Sequence, residues 1–458
     1  MDHQEVELLA VGAGPSNLAL AVAIEELAPL DLARDTLVIE QHEDVAWQRG
    51  MLLPWTQSQV SFLKDLVTMR NPRSKFSFVN YLHSVGRLDD FVNLGSFTPY
   101  RLEISGYLLW VAQSLSTVRV EYSRRCVRID VNTSTDGEVT GWLVRLADGS
   151  TIGARTLVIG TGRDAHVPDV FHGLPRERII HSTDYSVRAA QLDPALPHRI
   201  VVIGGAQSAA EMLWETHRRL PLAQCTMVMR SIGLNNYESS KFTNELYFPS
   251  FTDEFFAARP EARRQLLQEM HRTNYAGLAP GMLDTLYRQI YLERLTGTER
   301  LRMITMAEVG NAGMDGDEIV LTLTDRKSGR VNELRCDVLM LGTGFVPKMP
   351  TLVRGIADRL GIGEIEVNRA YRMAMPSSAT ASCYLQGMNE DSHGIADSLL
   401  SVLAARAGEI VNDMLAHRRA PSLLAGLDGH RWEAVVTPPS RRWHPALNPS
   451  EEAANVPQ

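Results

Sequence analysis

Two stretches of the chain carry the same arrangement of small residues. Glu7-Leu-Leu-Ala-Val-Gly12-Ala-Gly14-Pro15-Ser-Asn17 runs from an apolar strand into a glycine turn and a helix, and Arg199-Ile-Val-Val-Ile-Gly204-Gly205-Ala206-Gln207-Ser208-Ala209 repeats the device. Such a turn lets the backbone close tightly and approach a pyrophosphate, which then rests on the helix N-terminus. Taken singly, each also reads as a strand–helix turn without a ligand. Two in one chain point to two dinucleotides and to electron transfer between them.

The two turns differ in what surrounds them. In the first, Gly12 and Gly14 fill the first two motif positions and Asn17 stands where a third glycine is usual. Glu40, after the strand at 36–39, is placed to accept hydrogen bonds from a ribose diol. In the second, Ala206 replaces the second glycine, which should push a pyrophosphate outward, and Ala209 takes the third place. Arg230 follows the next strand, where an NAD site carries an acid. A guanidinium there can pair with a 2′-phosphate or lie over the adenine, which favours NADPH; the plainer reading is a solvated surface arginine. The first turn is the expected FAD site and the second the expected NADPH site.

Holding two dinucleotides takes more than one core. A chain of 458 residues with 44% hydrophobic and 22% charged side chains suits two or three ordinary globular domains. The pattern predicts an α/β fold: two Rossmann-like dinucleotide-binding domains and a smaller, mainly helical region covering the substrate. Residues 1–190 are expected to start the FAD domain. Residues 191–330 are the inserted NADPH domain, with the helical substrate region at about 240–300, and residues 331–436 return to the FAD domain. Residues 437–458, rich in Pro, Asn and Glu, read as a tail. Leu20, Ala23, Ile24 and Leu27 recur on one helix face, and residues 118–149 alternate like antiparallel strands turning at Asp136-Gly137 and Asp148-Gly149. Gly160-Thr-Gly162 and Gly342-Thr-Gly344 are both expected to close the first domain, entered twice by the chain.

Composition narrows the remaining classes. A net charge of −8 with no basic stripe argues against a nucleic-acid partner. Cys126, Cys225, Cys336 and Cys383 are scattered without metal or disulfide spacing, so neither a redox disulfide nor a metal site is expected. The acidic N-terminus does not read as a signal peptide, and no apolar run is long enough to span a bilayer, so the expected location is cytoplasmic with no membrane partner. A homo-oligomer is left open.

More specific stretches lie between and beyond the turns. They are Gln57-Ser-Gln59-Val-Ser-Phe62-Leu-Lys64-Asp65-Leu66, Arg70-Asn-Pro72-Arg-Ser74-Lys-Phe76 and Phe97-Thr-Pro-Tyr-Arg101. Further on come Thr243-Asn244-Glu245-Leu246, Thr273-Asn274-Tyr275 and Asn389-Glu-Asp-Ser-His393-Gly394-Ile395-Ala396-Asp397-Ser398-Leu-Leu-Ser401. From about residue 5 to 410 the chain resembles the flavin monooxygenases that N-hydroxylate L-ornithine or L-lysine in siderophore biosynthesis. The stretches at 59–66 and 97–101 are more similar to the ornithine branch.

The resemblance implies that NADPH reduces FAD, that O₂ adds to give a C(4a)-hydroperoxyflavin, and that a neutral side-chain amine attacks its distal oxygen. No protein nucleophile is needed, because the cofactor carries the hard step. The resemblance further implies that Lys64 and Asn244 hold the substrate carboxylate, and that Gln59 and Asn274 are the catalytic contacts near the flavin and the reacting amine. It assigns Gly12, Gly14, Pro15, Asn17, Glu40 and Trp47 to FAD, and Gly204, Gln207, Ser208 and Arg230 to NADPH. Ser398 and the backbone of Ile395 fall in the segment over the flavin ring, with Ser398 also on the substrate side. Ala396 stands where many relatives have serine.

Without the resemblance, Lys64 and Asp65 read as a helix-surface ion pair, and Asn244 and Asn274 as cap or turn residues. Other readings compete. Phe171-His-Gly173 and His181-Ser-Thr-Asp-Tyr185 echo the FxGxxxHxxxY fingerprint of other flavin monooxygenases, but seven residues separate Gly173 from His181 instead of three. An N-hydroxylase of L-lysine or of a diamine such as putrescine is a nearer alternative. An NADPH-sensing flavoprotein without turnover is the non-enzymatic one.

Overall fold

Short apolar runs buried on both faces make the parallel strands of this protein. The computed structural model describes residues 3–419 except Ser239, Ala276 and Pro347. The expected tail at 437–458 and residues 420–436 of the return segment lie outside the described residues.

The strands of the N-terminal half are β1 (His3–Val11), β2 (Thr36–Ile39), β3 (Arg119–Glu121), β4 (Cys126–Thr133), β5 (Val139–Leu146) and β6 (Thr151–Ile159). They are followed by β7 (Ile179–His181), β8 (Arg199–Ile203), β9 (Gln224–Val228), β10 (Leu301–Ile304), β11 (Ala307–Asp315), β12 (Glu318–Asp325), β13 (Val331–Cys336), β14 (Val338–Leu341) and β15 (Ser382–Leu385). One sheet has the order β3-β2-β1-β6-β5-β4, with β15 also pairing β6; a second has the order β10-β9-β8-β14-β7. The second sheet is parallel throughout. A third, antiparallel sheet β11-β12-β13 packs Ile319, Leu321 and Cys336 against Val201, Leu339 and Leu341 of the second.

Three expectations need correction. First, the antiparallel reading of residues 118–149 holds for β4 and β5, but β3 pairs parallel with β2 at the sheet edge. Second, the helix Pro15–Leu27 has no single apolar face, because residues from Asn17 to Ile24 are all buried. It lies in a cluster with Tyr107 and Val111 of helix Arg101–Ser114 and with Ile410 of helix Leu403–Arg419, while Leu27 is exposed. Third, the two Gly-Thr-Gly turns close different sheets. Gly160 follows β6 in the first, whereas Gly342 follows β14, whose four buried apolar residues place it between β8 and β7 in the second.

The chain therefore leaves the first sheet after β6 and returns after β14. β7, inside the expected 1–190 range, and β14, inside 331–436, both belong to the second sheet. The outgoing and returning segments pair with each other, through a bridge of Ala165 with Phe345 and a hydrogen bond from His166 N to Gly344 O of 2.9 Å. The described residues up to Ala416 form one compact unit.

The helical region comprises Lys241–Glu245, Pro249–Ala257, Pro260–Asn274 and Pro280–Thr296. The last three each open on a proline, whose fixed φ and missing N–H suit a first helical turn. Among the described residues, no helix is long and apolar enough to cross a membrane.

Candidate functional site

Gly12 directly follows β1 at φ +91°, and a Cβ there would stand 3.0 Å from Gly160 O. Glycine is required by the backbone at this corner. Gly14 has an ordinary φ of −73° and caps helix Pro15–Leu27, with Pro15 opening it. A Cβ on Gly14 would meet only Gly160 O, at 3.9 Å, so it would project into open space beside the helix N-terminus. That cradle fits a pyrophosphate. Glu40 is tied to the same turn: one carboxylate oxygen accepts from Ala13 N at 2.9 Å and the other from His42 N at 3.1 Å. Trp47 packs on the cluster around the helix, and its backbone N–H donates to Ser105 Oγ at 3.2 Å.

Asn17 is fully buried and acts as a staple. Its Nδ2 donates to Val11 O at 3.0 Å and Gly12 O at 2.7 Å, and its Oδ1 accepts from Gln386 Nε2 at 2.8 Å.

The second turn repeats the shape. Gly204 has φ +141°, and a Cβ there would lie 2.5 Å from Gly342 O. Ala206 caps helix Gln207–Arg219 at φ −120°, where an alanine carries no backbone strain. Gln207 faces the protein: its Oε1 accepts from Ala279 N at 2.9 Å and its Nε2 donates to Glu211 Oε1 at 2.8 Å. Glu211 in turn pairs with both ends of the Arg101 guanidinium, at 2.7 and 2.8 Å. Sequence reasoning quoted Arg101 within a motif and missed this partner. Ser208 is half-buried beside Gln207. Arg230 is exposed, and its carbonyl accepts from Arg326 Nη1 at 3.2 Å, so a second, unforeseen guanidinium stands near it.

Lys64 is half-buried, with Nζ 3.3 Å from Ser401 Oγ and 4.6 Å from the centre of the Phe248 ring. Desolvation holds its pKa below the usual lysine value, and among the described residues no carboxylate pairs with it. The ion pair with Asp65 does not form. Asp65 turns inward and accepts from Val67 N, Thr68 N and Phe78 N at 3.0, 2.6 and 2.8 Å. Burial pushes its carboxyl up.

Asn244 lies exposed on helix Lys241–Glu245, which Ser240 caps by accepting from Thr243 N. Asn274, half-buried, is the last residue of helix Pro260–Asn274, and Gln59 is exposed. Among the described residues these three side chains have no protein hydrogen-bond partner and are available to a ligand.

Ser398 is already engaged. Its hydroxyl donates to Glu390 Oε1 at 2.7 Å and lies 3.0 Å from Tyr275 Oη. Glu390 also accepts from Tyr275 Oη and from Arg163 Nη2, the latter at 2.8 Å. Burial and the Glu390 carboxylate hold the Tyr275 phenol protonated, raising its pKa. Ile395 is buried, and the segment holding it leaves the sheet where Gln386 N donates to Ile159 O at 2.9 Å. The quoted motifs contained Tyr275 and Glu390, but nothing in their spacing signalled the cluster.

A mixed sheet with a parallel core and a second, all-parallel sheet, each carrying a glycine turn at the carboxyl end of a central strand, define a two-dinucleotide flavin monooxygenase architecture. The chain belongs to the L-lysine 6-monooxygenase/L-ornithine 5-monooxygenase family, which matches over residues 4–347. It is 38% identical over 400 residues to the L-ornithine N(5)-monooxygenase of Burkholderia cepacia, spanning 85% of this chain and 89% of that one. Its fold is similar to that of the ornithine hydroxylase PvdA from Pseudomonas aeruginosa, with a TM-score of 0.84 and 35% identity over 90% of this chain and 100% of that one. The ornithine N-hydroxylase KtzI of Kutzneria sp. 744, solved with reduced FAD, NADP+ and L-ornithine, matches at a TM-score of 0.83 and 32% identity, over 90% and 100% of the two chains.

Proposed function

We propose that the protein N-hydroxylates the side-chain amine of L-ornithine, using FAD, NADPH and O₂, to supply hydroxamate precursors of a siderophore or related product. The observation that carries this is Lys64, an ammonium half-buried between Ser401 and Phe248 with no anion beside it among the described residues. An amino-acid carboxylate is the partner such a group lacks, and charge-assisted hydrogen bonds are about twice as strong as neutral ones. A plain diamine has no carboxylate to offer. Asn244 adds a directed donor, and a cytoplasmic location accords with the need for NADPH.

Reduced flavin, when bound, supplies the oxygen-transfer chemistry. FAD would sit on the sheet around β1, held by Gly12, Gly14, Pro15, Glu40 and Trp47, with Asn17 fixing the turn from inside. NADPH belongs to the sheet around β8, met by Gly204, Ser208 and Arg230, with Gln207 shaping the turn. Gln59 and Asn274 would contact the flavin and the reacting amine, and the backbone at Ile395 would lie over the flavin ring. The protein must also present a neutral amine. An amine of pKa about 10.4 costs about 4 kcal/mol to deprotonate at pH 7.5. Desolvation of a substrate amine in the closed site offsets part of that cost.

One methylene separates ornithine from lysine and is worth only about 1–3 kcal/mol in a pocket. The test therefore incubates the FAD-loaded protein with NADPH and ornithine, lysine or putrescine, and follows the gain of one oxygen by mass spectrometry. Ornithine is expected to be oxidised best, and Lys64→Ala to raise its KM about tenfold or more while leaving flavin content intact. Oxidation of none of the three sinks the proposal, and an unchanged KM in Lys64→Ala removes the carboxylate role.

A further inference from the structure

Helix Leu403–Arg419 carries an arginine whose guanidinium reaches three separate parts of the chain. Arg406 is fully buried. Its Nε donates to Gln386 Oε1 at 3.2 Å, and its Nη1 donates to both the carbonyl and the carboxylate of Asp397 at 2.6 Å. Its Nη2 donates to Ser16 Oγ at 2.7 Å. Ser16 lies in the first glycine turn, and Asp397 lies in the segment of residues 389–401. The other oxygen of Asp397 accepts from Asn389 N at 2.7 Å, closing that segment into a loop. Gln386 passes the connection to Asn17, and Asn17 to the carbonyls of Val11 and Gly12. The ring of Tyr371 completes the housing, with the Arg406 guanidinium 5.7 Å from its centre and His393 stacked on it at 4.0 Å.

From this geometry we infer that Arg406 is a positioning residue: it fixes the segment of residues 389–401 against the first nucleotide turn and so sets how closely that segment covers the flavin. The inference rests on the assignment of FAD to the first turn. Stability alone is a poor account of the arrangement, because a buried ion pair is often matched or exceeded by apolar residues of equal volume. What the fork adds is direction. A planar guanidinium with all of its nitrogens engaged fixes angles as well as distances, which a single ammonium does not. The consequence lies in coupling. A segment held loosely admits water to the reacting centre, and reduced flavin with O₂ then yields hydrogen peroxide instead of hydroxylated amine.

Arg406→Lys is the informative variant, since it keeps a cation opposite Asp397 and gives up the simultaneous reach to Ser16 and Gln386. In FAD-loaded protein, quenching of flavin fluorescence by iodide is expected to rise about twofold or more, as it reads local opening. Peroxide released per NADPH oxidised is expected to rise about tenfold, because a shift on the order of 1 Å can cost ~10²-fold in the intended step. Reduction of the flavin by NADPH should stay within about twofold of wild type, which separates positioning from general damage. Wild-type quenching and wild-type coupling in Arg406→Lys overturn the inference. If that variant does not retain FAD, Ser16→Ala decides, since it removes one hydrogen bond and leaves the Arg406–Asp397 pair in place. Raised quenching there supports the inference, and unchanged quenching overturns it. The iodide measurement needs no substrate, so it stands even if the wild type oxidises none of the three amines.

Discussion

Asn17 and Ala209 occupy the same place in the two nucleotide turns and hold it by opposite means. Each presses on the first glycine of a Gly-Thr-Gly turn. A Cβ added at Gly160 would lie 2.8 Å from the Asn17 side chain, and one at Gly342 would lie 2.5 Å from Ala209 Cβ. The shape demanded of the opposing strand is therefore shared, while the chemistry of the helix residue is not. Asn17 binds its own turn and, through Gln386 and Arg406, the segment at 389–401. Ala209 offers only a methyl group. The second turn is anchored from its flank instead, through Gln207, Glu211 and Arg101. The third motif position thus needs to be compact and self-satisfied, and a polar residue there can carry connections that an alanine cannot.

The largest effect is expected from breaking the flank anchor. Arg101→Met leaves Glu211 buried without its partner, and losing one member of a buried pair costs about 3–5 kcal/mol. Chemical denaturation should register that loss, and Arg101→Met combined with Glu211→Leu should recover most of it. A single-variant cost below about 1 kcal/mol would show that the second turn does not depend on this pair.

Next come the two helix residues themselves. Asn17→Ala leaves the Gln386 amide and the Gly12 carbonyl without their partner, while Val11 O keeps its bond from Gly160 N, at about 1–3 kcal/mol for each unsatisfied group, with loss of bound FAD. Ala209→Gly removes one methyl and adds backbone freedom in a helix, at about 1 kcal/mol. Thermal unfolding and flavin content of the purified variants give the comparison directly. Equal costs would mean that the hydrogen bonds of Asn17 add nothing to its fit.

What could be read from the sequence follows the same division between local and distant causes. The glycine turns and their strands were legible because the strand, the positive-φ corner and the helix are all set by neighbours in sequence. The sheet to which Val338–Leu341 belongs was not, since its four apolar residues suit either sheet and only the crossover paths decide between them. Lys64 was singled out through its motif. Its freedom from Asp65 was not legible, because the partners of Asp65 include the backbone of Phe78, brought near only by folding. Arg101 with Glu211, and Arg406 with Ser16, join residues far apart in sequence with no period to betray them.

The smallest effect concerns the residue at the end of the second strand of each nucleotide unit. Glu40 is hitched to its own turn through Ala13 N. Arg230 is exposed, and among the described residues its guanidinium has no protein partner, while its carbonyl is held by Arg326. A 2′-phosphate would supply that partner, and NADH has none. Arg230→Ala should therefore weaken NADPH by about tenfold and leave NADH unchanged, as read by the Kd of each nucleotide for the oxidised protein. Exposure keeps the effect modest, because solvent and salt screen a surface charge. The same reasoning gives a second handle: the preference for NADPH should shrink as salt rises in the wild type and depend less on salt in Arg230→Ala, with Arg326 accounting for what is left. Equal weakening of both nucleotides would mean that Arg230 acts on the shared adenosine, for example by lying over the adenine, and the contrast with Glu40 would then be one of geometry and not of charge.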